Sequence, residues 1–131
     1  MSDMSNNRPL SPHLQIYRLI PTMFISIVHR ITGVVVYFGA IGVVIWFLCV
    51  AEGSSAVDVL REYTNWFLFK ITLFLYSWAV IHHMLGGIRY LFWDSGFLLD
   101  KNISTKLAKI NIIASILIVI GVWVLKYTLG K

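Results

Sequence analysis

This sequence is poor in charge and almost devoid of cysteine. Only 13% of its 131 residues are Asp, Glu, Lys or Arg, while 58% are hydrophobic, too apolar a balance for a chain this short to hide inside one soluble core. Cys49 is the sole cysteine, which excludes an internal disulfide and a cysteine-based metal site. There is no GxGxxG or Walker loop, no internal repeat and no low-complexity tract, so neither a nucleotide-binding unit nor a solenoid is indicated. Residues 1–21 lack a compact apolar region followed by a small-residue cleavage site and do not form an Arg-rich transit leader. The first apolar helix is therefore expected to be its own insertion signal, with a bacterial inner membrane favoured over a mitochondrial one.

What the chain does have is three long apolar segments, at about 23–51, 63–91 and 105–128, each near or above the ~20 residues that a helix needs to cross the hydrocarbon. The expected fold class is an all-α membrane protein: one domain of three transmembrane helices, preceded by an N-terminal arm over 1–21 on the cytoplasmic or matrix side. The third span is the tightest, because the charge-free run from Ile110 to Leu125 covers only about 24 Å. Lys109 and Lys126 at its ends can reach the headgroups, and Lys70 in the second span reads the same way.

Charge sets the orientation. Arg8, Arg18 and Arg30 precede or open the first span, and Arg89, Lys101, Lys106 and Lys109 lie between spans two and three. The first connection holds Arg61 beside Glu52, Asp58 and Glu62. By the positive-inside rule the N-terminus and second connection face the cytoplasm. The net charge of +5 reports this topology and docking to an acidic partner, not nucleic acid.

Polar residues stand at two places where lipid would disfavour them. The first is "SIVHRITG" at 26–33, just before an uncharged run from Ile31 to Ala51. On an α-helix His29, Arg30 and Gly33 all fall within about 60° of Ser26, so the four share a face. A guanidinium below the membrane surface is costly and usually points into protein. The second is "HHMLGGIRYLFWDSG" at 82–96, where His83 shares a face with Tyr76, Ala79, Gly86, Gly87 and Tyr90. Small residues beside an imidazole leave a flat recess that suits a planar macrocycle, and they equally suit close helix packing. Arg30 and His83 each lie about 12 Å from the cytoplasmic ends of antiparallel helices, at one level of the bilayer. That arrangement fits a haem whose iron takes the imidazole and whose propionates take the cations. His82, rotated by about 100° from His83, cannot serve the same iron and is expected to hydrogen-bond a neighbouring helix. His13 lies in the proline-interrupted arm, read as surface-lying and open to an extramembrane partner.

With "RPLSPHLQIYR" at 8–18, "SIVHRITG" at 26–33 and "HMLGGIRYLFWDSG" at 83–96, in that order and within three spans, the chain resembles the cytochrome b membrane-anchor subunits of succinate dehydrogenase, respiratory complex II. The resemblance implies that His83 is an axial ligand of haem b. It also implies that Ser26 and Arg30 border a ubiquinone site and that His29, with Arg30, lies near a haem propionate. A flavoprotein, an iron–sulfur protein and a second membrane anchor supplying the other haem histidine are implied as partners. No flavin, iron–sulfur or dicarboxylate site can be assembled from this chain, so no catalytic residue for succinate oxidation is expected in it. Asp94, at the cytoplasmic end of span two, is a candidate proton relay or helix terminator. Two other readings stand beside this one: a fumarate reductase anchor, and a small ion-transport subunit whose Arg30, His29 and His83 line a path.

Overall fold

The computed structural model of the chain describes residues 19–130. The arm over 1–18, with Arg8, His13 and Arg18, lies outside the described residues. Four helices follow in order: α1 (Pro21–Glu52), α2 (Ser54–Thr64), α3 (Phe67–Asp94) and α4 (Lys101–Leu129). Three of them, α1, α3 and α4, are long and apolar enough to cross a membrane.

Local chemistry sets the ends. Pro21 occupies the start of α1, where its missing N–H costs nothing, and Gly53 closes that helix at φ 115°, a left-handed conformation that favours glycine. The expected second span begins later than the apolar composition suggests. Residues 54–64 form the separate helix α2, closed by Thr64 Oγ1 donating to the Arg61 carbonyl, and Trp66 takes an extended conformation before α3 starts. The polar groups Asp58, Arg61 and Glu62 explain the break, since they keep this stretch at the interface. The Arg61–Asp58 pair at 3.2 Å is exposed and contributes little. At the other end α4 starts earlier than expected because Asp100 caps it, accepting from Asn102 N at 2.8 Å and Ile103 N at 3.1 Å.

The long helices pack antiparallel. Tyr76 Oη donates to the Val36 carbonyl at 3.5 Å and its ring lies against Gly39, while His29 meets His83 nearer the start of α1. On the opposite side of α3, Phe74 meets Trp123 and His82 meets Ser115. The interior is small and mixed: Ile25, Ala79, Ala108 and Val119 are buried beside Thr32, His82, Arg89, Asn111 and Ser115. Large side chains such as Ile31, Phe38, Trp46, Phe47, Leu117 and Leu125 point outward. This inverts the soluble pattern, because lipid gives apolar side chains no reason to leave it, and helices associate through small residues and polar contacts. Lys126 lies 4.6 Å from the Trp123 ring, a placement that lets the ammonium reach the interface along an aromatic surface.

Candidate functional site

The two sequence motifs meet between α1 and α3. His83 Nδ1 lies 3.1 Å from the His29 carbonyl oxygen. Because that oxygen can only accept, Nδ1 carries the proton of this contact, which in the singly protonated ring leaves the Nε2 lone pair free. The two imidazoles stack with centroids 4.2 Å apart and planes within 4°. Tyr90 closes the side toward the end of α3, its ring 5.1 Å from that of His29.

Glycines make this approach possible. A Cβ on Gly33 would stand 2.9 Å from His83 Cε1, and one on Gly86 would collide with His29 Nδ1. The expected recess beside His83 is thus corrected in part. Gly86 is occupied by the His29 ring, which reaches across from α1, and of the two glycines only Gly87 faces open space among the described residues. An apolar groove of about 900 Å³ begins at Thr32 and Ala79 and runs along α1 and α3 past Gly39 and Tyr76 toward α2.

His82 takes a different interface. It is fully buried against α4, with Nδ1 at 3.4 Å from Ser115 Oγ and its ring stacked on Trp78. Ser115 Oγ donates to the Ile112 carbonyl at 2.8 Å, so it accepts from His82 Nδ1 and from Trp78 Nε1 at 3.2 Å. His82 Nε2 is sealed with no hydrogen-bond partner among the described residues. His83 is only half-buried, and its Nε2 is not among the sealed atoms.

The face expected to hold Ser26, His29, Arg30 and Gly33 is divided. Ser26 and His29 are half-buried, Gly33 is seated on His83, and Arg30 is exposed on the outside of the bundle. The residue level with His83 is therefore His29. Arg89 departs furthest from expectation. Read as a charge between spans, it lies inside α3 at 6% exposure, and none of its three guanidinium nitrogens has a hydrogen-bond partner among the described residues. The guanidinium packs over Trp93 at 4.8 Å and Tyr90 at 5.5 Å. Asp94 is the last residue of α3 and is exposed.

Sequence reasoning passed over Thr32, whose hydroxyl donates to the His29 carbonyl at 2.9 Å and lies 3.5 Å from His83 Nδ1. It also passed over Asn111 and Ser115, buried one turn apart on α4. Their spacing of four within an otherwise apolar span was the available signal.

A family model described as succinate dehydrogenase/fumarate reductase transmembrane subunit matches residues 4–122. The chain is 35% identical over 126 residues to the succinate dehydrogenase cytochrome b556 subunit of Rickettsia felis, covering 93% of this chain and 95% of that one. It is 35% identical over 123 residues to the cytochrome b556 subunit of Paracoccus denitrificans, covering 92% and 93%. To the succinate dehydrogenase cytochrome b560 subunit of Marchantia polymorpha it is 38% identical over 106 residues, covering 74% of each.

Proposed function

The chain belongs to the succinate dehydrogenase/fumarate reductase transmembrane-subunit family, and from that premise we propose that it is the membrane anchor of a succinate:quinone oxidoreductase, contributing half of a haem b site and part of a quinone-reduction site. The observation that carries the haem reading is the hydrogen bond from His83 Nδ1 to the His29 carbonyl, which fixes the tautomer that offers Nε2 to a metal. The residues present fit such a group. One imidazole has an unsealed nitrogen, open space lies over Gly87, and an apolar groove adjoins Thr32 and Ala79. Gathered groups of three His, Cys, Asp or Glu that would hold a bare ion are absent among the described residues.

When bound, haem b supplies a one-electron carrier within the bilayer. His83 would hold its iron, with a histidine of a second anchor subunit as the other ligand. His29 would offer Nε2–H to a propionate, since its Nδ1 is closed off against Gly86. Arg30, exposed on the bundle surface, adds positive charge for a propionate or for the quinone.

The quinone is a substrate whose carbonyl oxygens gain negative charge as electrons arrive from an iron–sulfur partner. The Ser26 hydroxyl donates to one such oxygen. The Arg30 guanidinium stabilises the developing charge in a low-dielectric setting. A flavoprotein subunit oxidises the dicarboxylate outside the membrane. The chain then sits in a bacterial inner membrane with its N-terminus and the connection between α3 and α4 toward the cytoplasm, as the basic residues Lys101, Lys106 and Lys109 favour.

The test is a reduced-minus-oxidised spectrum of the complex purified from membranes, with flavin measured in the same sample. A b-type haem in fixed ratio to flavin is the expected result. A complex without haem or flavin would overturn the reading and leave the ion-transport alternative.

A further inference from the structure

A carbonyl inside an α-helix receives one N–H, that of the residue four positions on. The His29 carbonyl of α1 receives more. Thr32 Oγ1 donates to it at 2.9 Å, and His83 Nδ1 of α3 donates to it at 3.1 Å. The backbone there is reachable because its helical neighbour is Gly33; a Cβ at that position would stand 2.9 Å from His83 Cε1 and 3.4 Å from Nδ1. The ring of His29 then lies flat on that of His83, held from behind by Gly86. Thr32 is 2% exposed and Gly33 half-buried, so water does not compete freely for this carbonyl.

We propose that the His29 carbonyl, the Thr32 hydroxyl and the glycine at 33 form a clasp that positions the His83 imidazole, with Thr32 setting how strongly the carbonyl draws on His83 Nδ1–H. A carbonyl oxygen has two lone pairs, and the helical N–H, the hydroxyl and the imidazole all share them. The Thr32 hydroxyl therefore weakens the bond to His83. A stronger bond at Nδ1 makes Nε2 a more basic ligand, which favours the oxidised, more positive iron. Thr32 and Gly33 are positioning residues, and they act only through His83. The inference rests on the reading of His83 as the haem ligand.

The experiment uses the full complex isolated from membranes, with Thr32→Val, Thr32→Ala, Thr32→Ser, Gly33→Ala and His83→Ala compared. Haem per flavin, the low-spin electron paramagnetic resonance signal and the haem midpoint potential are the readouts. Thr32→Val and Thr32→Ala are expected to lower the midpoint potential with haem per flavin retained, whereas Thr32→Ser, which keeps the hydroxyl, holds it at the wild-type value. Gly33→Ala is expected to move the ring and to shift or broaden the low-spin signal. His83→Ala abolishes that signal.

The clasp is overturned if His83→Ala removes the low-spin signal while Thr32→Val, Thr32→Ala and Gly33→Ala leave both signal and potential unchanged. It is equally overturned if Thr32→Ser shifts the potential as far as Thr32→Val, because the effect would then follow shape and not the hydroxyl. Survival of the low-spin signal in His83→Ala removes the ligand reading itself, and the clasp with it.

Discussion

His82 and His83 are consecutive residues whose imidazoles lie in different helix interfaces. His82 is sealed against Ser115 of α4, and His83 is stacked on His29 of α1 with Nε2 unsealed. Both rings use Nδ1 for an interhelical contact. What separates them is the surroundings of the other nitrogen.

Replacing His83 should therefore abolish a low-spin haem signal, and replacing His82 should spare it. His82→Leu is still expected to cost about 0.5–1.5 kcal/mol of stability, because Ser115 Oγ loses the hydrogen bond from His82 Nδ1 and Trp78 loses its stacked ring, while the Trp78–Ser115 bond stays. Spectra of the two assembled variants decide the assignment. Loss of the signal on removing His82 alone would reverse it.

The chain purified alone should not hold a six-coordinate haem. His29 lies parallel to His83 at 4.2 Å and cannot reach the opposite face of a macrocycle ligated by it, His82 is sealed, and His13 belongs to the N-terminal arm outside the described residues. Absorption and paramagnetic resonance spectra of the haem-reconstituted monomer check this. A bis-histidine spectrum would contradict it.

Ser26 and Arg30 should be separable from His83 by function. In the proposed quinone site Ser26→Ala would remove one hydrogen bond to a buried oxygen, about 1–3 kcal/mol, and should slow succinate–quinone turnover roughly tenfold or more. Arg30→Leu should act more severely. Haem per flavin and succinate oxidation by a soluble artificial acceptor are expected to stay near wild type for Ser26→Ala. Equal loss of both activities and of haem per flavin would assign these residues to assembly.

Gly86 and Gly87 should respond differently to alanine. Gly86→Ala meets the His29 ring and is expected to lower the thermal unfolding midpoint of the chain in detergent. Gly87→Ala meets nothing within 4 Å among the described residues and should raise helix stability by about 0.8–1 kcal/mol. In the complex, Gly87→Leu should lower haem per flavin, since the open space beside His83 lies there. Full haem loading in that variant would put the macrocycle elsewhere.

Asp94 is the last residue of α3 and exposed, where a helix C-terminus calls for hydrogen-bond donors. A carboxylate cannot cap those carbonyls. Ser95 N and Gly96 N serve the Leu91 and Trp93 carbonyls instead. As a proton relay it predicts slower quinone-linked turnover in Asp94→Asn with normal assembly. Wild-type turnover across pH in that variant would remove the role.

The segments that cross lipid were legible because the exterior of a membrane protein is uniformly apolar, and a run such as Ile31 to Ala51 has no other solvent-compatible fate. The break between α2 and α3 was not legible from composition. Tyr63, Trp66 and Phe67 extend the apolar pattern, while Asp58, Arg61 and Glu62 and the extended turn at Trp66 end the helix.

By itself the sequence determined three membrane spans, the two polar motifs and the rotation that sets His82 apart from His83, because helical periodicity fixes which residues of one helix share a face. Only the tertiary structure decided what each face meets. Gly86 receives the His29 ring, Gly33 admits His83 to a backbone carbonyl, Arg89 is enclosed and Arg30 is not. The reason is physical: periodicity is a property of one helix, whereas the approach of a ring to a glycine depends on the register and distance between two.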